Sequence, residues 1–179
     1  MSKFGDPGFH VHAAIGQYLS LLVYHLVSDD VIPFDLPNYA VELRAYLKDL
    51  SALIAASNKT IDLSELSGAI DIFEKRAAEI KEAEKRAVAL GDQRLIKVIN
   101  SKYRDFQRGF VSQGGLPSRE FYKHVVTAPG IDTGYAAITF PGISEGVQYG
   151  QFERAQEWVG RTAKGILRAA EIIRSSRER

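Results

Sequence analysis

Cysteine is absent from the sequence. Without it the protein cannot form disulfide bonds, bind zinc through thiolates or use a cysteine nucleophile. The compartment stays open on this evidence, because secreted proteins without cysteine exist. The fold must depend on a hydrophobic core, for which 179 residues with 45% hydrophobic side chains are sufficient. We therefore expect one globular domain over residues 1–179.

An excess of charge of either sign is also absent. The 23 basic and 22 acidic residues give a formal net charge of +1. Nucleic-acid binding draws much of its affinity from the neutralisation of phosphates by clustered basic side chains. This balance argues against a nucleic acid as partner.

Long hydrophobic runs are missing as well. The longest strongly apolar stretch, residues 13–27, is interrupted by Gln17, Ser20 and His25 and is too short to span a bilayer. We expect no membrane contact by this chain.

Helical periodicity covers most of the sequence outside one segment. After Pro7, the residues Ile15, Leu19, Leu22 and Leu26 recur at helical spacing. Because further apolar residues broaden this stripe, we expect the first helix to be central and largely buried.

Four more helices are indicated by apolar stripes, caps and stops. Asp62 with Glu65 three residues later is typical of a capping box at the start of the third helix. Short connections favour antiparallel neighbours. We predict an all-α, up-and-down bundle of four to five main helices, with one long ordered loop between the fourth and last helices. The expected bounds of the later helices are Leu36 to Asn58, Asp62 to Gly91, Asp92 to Gly114 and Phe152 to Arg177.

Residues 115–142 interrupt the helical pattern. The segment reads GLPSREFYKHVVTAPGIDTGYAAITFPG and is rich in glycine, proline and aromatic residues. Loops beyond about 12–15 residues in a compact domain are usually functional or disordered. The many apolar residues argue against disorder. We predict an ordered, packed loop.

A series of short motifs follows the chain in order and ends in this loop. They are Asp6-Pro7, His12, Gln17, Pro33-Phe34-Asp35, Tyr39-Ala40-Val41, Leu43-Arg44, Gly115-Leu116-Pro117, Phe121-Tyr122-Lys123-His124-Val125, Ala128-Pro129, Tyr135-Ala136 and Phe140-Pro141-Gly142-Ile143. Together these residues resemble the C-terminal domain of glutamate carboxypeptidase II and its relative, the transferrin receptor. The resemblance covers nearly the whole chain.

This resemblance implies a helical dimerisation domain that is a fragment of a larger zinc peptidase. In such enzymes the zinc ligands lie in a separate N-terminal domain, the last histidine ligand a short way upstream of the position of Met1. The resemblance also implies a homodimer, contact with the chain's own peptidase domain, and an extracytoplasmic or vacuolar, membrane-anchored parent. For residues 1–179 alone we expect self-association, no peptidase activity and no bound zinc.

Two other hypotheses stay open. The parent is a receptor-type ectodomain without catalysis, as in the transferrin receptor, or the chain is a stand-alone helical interaction module. Zinc ligands upstream in the full-length gene would indicate an enzyme, and their absence a receptor.

Tyr135 is the candidate substrate-binding residue. The resemblance implies that it reaches from the helical domain into the peptidase pocket and helps to bind a C-terminal glutamate. A phenol can donate a hydrogen bond to a carboxylate while its ring packs beside aliphatic groups. The family has lysine just before this tyrosine, whereas here Gly134 occupies that position, which weakens the expectation of acidic specificity. Alternatively, Tyr135 is a loop aromatic residue that only packs.

The histidines do not form a metal-binding pattern. His10 and His12, two residues apart on a helix, point about 200° from each other. His25 and His124 have no partner at ligand spacing. We expect structural or partly exposed histidines.

A second motif resembles the nucleophile elbow of serine hydrolases. Residues 142–146 read G-I-S-E-G and match G-x-S-x-G, which requires a preceding strand and a catalytic histidine later in the chain. All four histidines precede Ser144, so we interpret the motif as a turn into a short helix. Separately, Asn58-Lys59-Thr60 fits the N-glycosylation pattern in a predicted inter-helix loop.

The last helix offers a candidate dimer interface. Its small residues allow the close approach of another helix, and a tryptophan is a typical interface anchor. The alternative is that this face only packs within its own bundle. The predicted interface residues are Trp158, Val159, Thr162, Ile166 and Ala169.

Overall fold

The computed structural model describes residues 3–132 and 134–174. Within that part the chain is mostly helical, which confirms the predicted fold class. Two 3₁₀ helices, Pro7–Phe9 and Phe106–Phe110, precede α1 and follow α4. The main elements are α1 (His10–Ser28), α2 (Leu36–Ala56), α3 (Ser64–Leu90), α4 (Gln93–Asp105), β1 (Thr127–Pro129), β2 (Ala137–Thr139), α5 (Pro141–Gln148) and α6 (Phe152–Ile173).

The chain divides into two compact units, Met1–Phe34 and Asp35–Arg179. The first unit is built around α1, whose start is capped by Asp6. The Asp6 carboxylate accepts hydrogen bonds from the amides of Val11 at 3.1 Å and His12 at 2.9 Å. It also contacts the His12 imidazole at 2.5 Å, and this contact is the main reason that the pKa of Asp6 lies below its usual value.

No side chain of α1 is buried. Leu19 is 50% exposed and Leu22 is 45% exposed, although both belong to the predicted apolar stripe. The prediction of a central, largely buried first helix is therefore wrong. Periodicity indicates the helix and its apolar face, but burial also needs a covering surface, and the described residues of the first unit supply none.

In the second unit the central helix is α6. It contacts α3, α4, α5 and the 3₁₀ helix Phe106–Phe110, while α2 packs against α3. Small residues allow these close contacts: a Cβ atom placed on Gly109 would lie 2.3 Å from the backbone nitrogen of Ala169. The buried residues of α6 are Ala155, Trp158, Val159, Thr162, Ala163, Gly165, Ile166, Ala169, Ala170 and Ile173.

An aromatic cluster connects α2, α3 and the 3₁₀ helix Phe106–Phe110. Tyr39 stacks on Phe110 with a centroid separation of 5.7 Å and an interplanar angle of 7°. Phe106 meets the Tyr39 ring edge-on at 5.5 Å, and Phe73 lies beside all three rings. Burial raises the pKa of Tyr39 to about 12. These rings pack together in the hydrophobic core of the second unit.

Three predicted helix ends require correction. The helix α4 ends at Asp105 and is followed by the 3₁₀ helix Phe106–Phe110, short of the expected end at Gly114. The helix α3 begins at Ser64, and Asp62 accepts a hydrogen bond from the Ser64 amide at 2.9 Å in place of the expected capping box. The last helix ends at Ile173 and Arg174 already lies outside it, whereas residues 175–177 of its predicted extent fall outside the described residues. Gly91 does end α3, with φ of 62° in the left-handed region, as expected.

The long segment after residue 110 is packed against the bundle. Leu116, Val125, Val126 and Phe140 are buried, which agrees with the predicted packed loop. It also contains an antiparallel pair that was not predicted, in which β1 and β2 join with Ala128 opposite Ile138. Over residues 3–132 and 134–174, no helix has both the length and the apolar character that a membrane span needs.

Candidate functional site

Tyr135 lies on the hairpin between β1 and β2, and 98% of its side chain is exposed. Gly134 adopts φ of 63°, a left-handed conformation that glycine tolerates best. The Gly130 amide donates to the Ala136 carbonyl at 2.9 Å and closes the base of the hairpin. The phenol of Tyr135 is thus presented to solvent, where its hydroxyl can donate to a ligand carboxylate.

A buried ion pair lies beneath the first strand of the hairpin. Arg119 donates through Nη2 to both carboxylate oxygens of Glu145, at 2.6 and 2.7 Å. Its Nη1 donates to the Pro129 carbonyl, and Glu145 Oε1 accepts from the Ile131 amide at 3.2 Å. Both side chains are shielded from water, with 13% of Arg119 and 5% of Glu145 exposed. These hydrogen bonds are charge-assisted, and those to Pro129 and Ile131 are directed at the hairpin backbone.

Two further hydrogen bonds hold the hairpin. The Ser144 hydroxyl donates to the Thr139 carbonyl at 2.7 Å, next to the end of β2. The Tyr149 hydroxyl donates to Asp132 Oδ1 at 2.6 Å, and this bond raises the pKa of Tyr149. The α5 segment therefore contacts the backbone or side chains on both sides of the hairpin.

The G-x-S-x-G motif forms the start of α5. Phe140 precedes it, fully buried and left-handed with φ of 44°, and Pro141 occupies the first turn. Ser144 is buried and bonded to a backbone carbonyl. The structure confirms a turn into a short helix, and the serine holds the chain in place.

Three of the four histidines belong to the first unit and His124 to the second. His124 lies half-buried, with its Nδ1 accepting from the Thr127 amide at 3.1 Å, and burial lowers its pKa. His10, His12 and His25 lie in α1. Among the described residues, no three His, Cys, Asp or Glu side chains gather as a metal ion would require. The described part of this chain does not fit the zinc ion that the resemblance implies for a peptidase.

The predicted interface residues of α6 face the interior of their own unit. Trp158 is 3% exposed, and the other four are buried at least as completely. Trp158 covers Gly142 at the start of α5, where a Cβ atom would lie 2.3 Å from the indole ring. Their burial argues against direct contact with a second copy, so a role in pairing stays a prediction.

The family model of the transferrin receptor-like dimerisation domain matches residues 61–174. The chain belongs to this family. The chain is also similar to several named proteins that are longer than the matched region. Because the family match begins at residue 61, the extension of one domain over residues 1–179 stays a prediction.

One relative of the dimerisation domain, named a probable glutamate carboxypeptidase, comes from Arthroderma benhamiae. It is 50% identical over 98% of this chain and 24% of its own length. A probable glutamate carboxypeptidase of Arabidopsis thaliana is 28% identical over 97% of this chain and 26% of its own length. A Schizosaccharomyces pombe relative, named an inactive zinc metalloprotease, is 28% identical over 97% of this chain and 23% of its own length. The chain thus spans about a quarter of the length of these relatives.

Sequence reasoning singled out Tyr135 but missed the Arg119–Glu145 ion pair that bonds to the hairpin backbone. Arg119 and Glu145 are 26 positions apart, and no helical or strand spacing relates them. Periodicity alone does not identify which residue pairs with a buried charged side chain. The sequence indicates a turn around Arg119 and a short helix after Pro141. Neither feature indicates that the Arg119 and Glu145 side chains are in contact.

Proposed function

We propose that this chain is the C-terminal dimerisation domain of a glutamate carboxypeptidase-like zinc metallopeptidase. In this proposal the domain pairs two chains and supplies the Tyr135 hairpin to the substrate pocket of the peptidase domain. The observation that carries the proposal is the hairpin itself, which exposes 98% of the Tyr135 side chain and is bonded to the Arg119–Glu145 ion pair at Pro129 and Ile131. Exposed aromatic residues on a well-held loop are typical of binding surfaces.

The proposed parent would carry its zinc ions in a domain N-terminal to this one. The relatives named as glutamate carboxypeptidases are about four times as long as their match to this chain. In such a parent the zinc would polarise the scissile carbonyl and activate water. The residues of this chain would bind and orient the substrate, with the Tyr135 hydroxyl donating to its terminal carboxylate.

The exposed apolar side of α1 supports contact with that peptidase domain. Val23 is 56% exposed, Tyr24 63% and Val27 79%, a larger apolar surface than a single helix leaves in water without a partner. We propose that the chain's own peptidase domain covers this surface. It would make α1 part of the connection between the two domains.

A location outside the cytoplasm is proposed on the resemblance. Asn58, in the Asn-Lys-Thr triplet, is exposed between α2 and α3, where an oligosaccharide could be attached. Glycosylation at this position in the native host would support an extracytoplasmic or vacuolar parent with a membrane anchor.

The decisive experiment uses the full-length protein. We expect it to contain zinc and to hydrolyse peptides with a free C-terminal carboxylate. Tyr135→Phe should raise KM about tenfold with little change in kcat, because one hydrogen bond to a charged group is lost. Tyr122→Phe is a matched control, since its ring stays over the Arg119 guanidinium at 5.6 Å. Equal KM values for the two variants would contradict the role of Tyr135.

A receptor-type parent is the alternative, and the relative named an inactive zinc metalloprotease favours keeping it. It predicts a full-length protein with neither zinc nor hydrolysis. Pairing is tested separately by sedimentation velocity over a concentration series. We expect the full-length protein to sediment as a homodimer, and a monomer at every concentration would contradict the pairing role.

A further inference from the structure

The residues of the G-x-S-x-G motif contact the second strand of the Tyr135 hairpin and the loop that follows its first strand. Ser144 donates to the carbonyl of Thr139 at 2.7 Å, and the neighbouring Glu145 accepts from the amide of Ile131 at 3.2 Å. Two consecutive residues of one short helix thus contact the end of β2 and the loop that follows β1. The helix α5 is itself held within its unit, because seven of its eight residues are buried.

Arg119 completes the arrangement. Its guanidinium spans the Glu145 carboxylate and the Pro129 carbonyl, so the ion pair contacts the backbone on both sides of Gly130. Gly130 is also where the hairpin closes, through the hydrogen bond to Ala136. The pair therefore acts on the base of the loop that presents Tyr135.

Stability alone does not account for such a pair. Removing two charges from water is costly, and an apolar pair of similar volume is often at least as stabilising. What an apolar pair cannot do is form directed hydrogen bonds to the Pro129 carbonyl and the Ile131 amide. Those bonds fix the direction of the strand that leads to Tyr135, which reduces the cost of ordering the loop when a ligand binds.

We propose that Arg119 and Glu145 are positioning residues that hold the hairpin in the conformation in which Tyr135 binds substrate. This inference rests on the proposed function, since it assigns two supporting residues to the same substrate-binding site. Neither residue touches the substrate. Their effect passes through Pro129 and Ile131 to the loop.

Two variants separate positioning from stability. Glu145→Gln keeps the size of the side chain but leaves the Arg119 charge without a full partner. The double variant Arg119→Met with Glu145→Leu removes both charges and fills the space with apolar atoms, so the fold should be retained. The double variant loses the directed bonds to the hairpin backbone, whereas Glu145→Gln keeps an amide oxygen that can accept from the Ile131 amide and mainly weakens the contact with Arg119.

Kinetics of the full-length protein provide the first readout. We expect KM to rise about tenfold in the double variant and by less in Glu145→Gln, while kcat changes less than about twofold in both, since ground-state and transition-state binding through Tyr135 weaken together. Adding Tyr135→Phe to either variant should cost less than it does in the unmodified protein, because the hydroxyl is already misplaced. Arg44→Gln is the control, as Arg44 bonds Glu74 and Asp71 in an exposed pair between α2 and α3.

Hydrogen exchange of the full-length protein provides a readout that needs no activity. Peptides covering residues 129–136 should exchange faster in the double variant, and to a smaller extent in Glu145→Gln, while peptides from α6 stay protected. Unchanged exchange in the hairpin would overturn the proposal. Faster exchange with an unchanged KM would overturn the positioning role. If the unmodified full-length protein fails to hydrolyse any substrate, the proposed function falls, and the role towards substrate falls with it.

Discussion

His124 illustrates how burial sets the chemistry of a single side chain. Its ring meets Phe110 edge-on at 5.4 Å, and its Nδ1 accepts a hydrogen bond from the Thr127 amide. Burial disfavours the charged imidazolium, so the pKa of His124 lies below the ordinary value. The histidine therefore acts as a neutral acceptor at the entry to β1.

This shift predicts a pH dependence of stability. Above pH about 6.5 His124 is neutral in both the folded and the unfolded protein, so it adds no pH dependence there. As pH falls below that value the unfolded state binds the proton first, and the free energy of unfolding decreases until pH passes the lowered pKa of the folded state. Urea unfolding between pH 7.5 and 5 should show this decrease, and His124→Gln should reduce it. An equal decrease in the variant would contradict the assignment.

At this scale the sequence predicts single residues only in part. Tyr135 is identified by its place in a loop that resembles a known family, and the structure exposes it. The partner of Glu145 is not predictable, because the contact joins residues that are distant in sequence and depends on the path of the loop. A residue's chemistry can be read from its type, but its partners depend on the tertiary fold.

Close contacts between elements depend on glycine at particular positions. Gly109 lies against the backbone of Ala169, where a Cβ atom would approach the nitrogen to 2.3 Å. Backbone atoms of two helical segments cannot move apart without separating their neighbours. Gly68, inside α3, has no atom within 4 Å of its Cβ position.

These two glycines predict opposite effects of the same substitution. Gly109→Ala should lower the free energy of unfolding by about 1–3 kcal/mol, because the methyl group overlaps α6. Gly68→Ala should raise it by up to about 1 kcal/mol, because alanine favours a helix and the space is open. Urea denaturation of the two variants measures the difference. A stabilised Gly109→Ala protein would contradict the close packing of the 3₁₀ helix on α6.

The helices of the second unit were largely predictable, because each has an apolar stripe and recognisable stop signals. The short strands were not, since three residues including Pro129 give no alternating pattern. The role of α6 shows a second limit. Its small residues and Trp158 indicate a packed face, but the sequence does not tell whether the contact is with the same chain or with another, and the structure places them inside their own unit.

At the scale of the whole molecule, the apolar side of α1 is the main departure from an ordinary globular surface. Its residues from Ile15 to Val27 leave large hydrophobic side chains in contact with solvent. Such surfaces are typical of interfaces and also promote aggregation. The behaviour of the chain should therefore depend on whether the rest of the proposed parent is present.

Leu22→Gln tests this dependence. In the 179-residue chain we expect the substitution to reduce non-specific association in sedimentation velocity, because an exposed apolar group is removed. In the full-length protein we expect it to lower the Tm, because the same side chain is then covered and a polar group is buried. Val41→Gln, at a 60% exposed position of α2, is the matched control and should change neither. A full-length protein unaffected by Leu22→Gln would contradict the covered surface.

The anchoring of the hairpin also bears on how this family can diverge. Both ends of the loop are fixed in the bundle, whereas the position before Tyr135 has open space around its Cβ site. A Cβ atom at residue 134 would meet no atom within 4 Å, and the left-handed backbone of a non-glycine residue would cost about 1 kcal/mol. Glycine and lysine can therefore replace each other at this position during evolution. Such a replacement changes the charge that is offered to a ligand and leaves the anchoring of the hairpin unchanged.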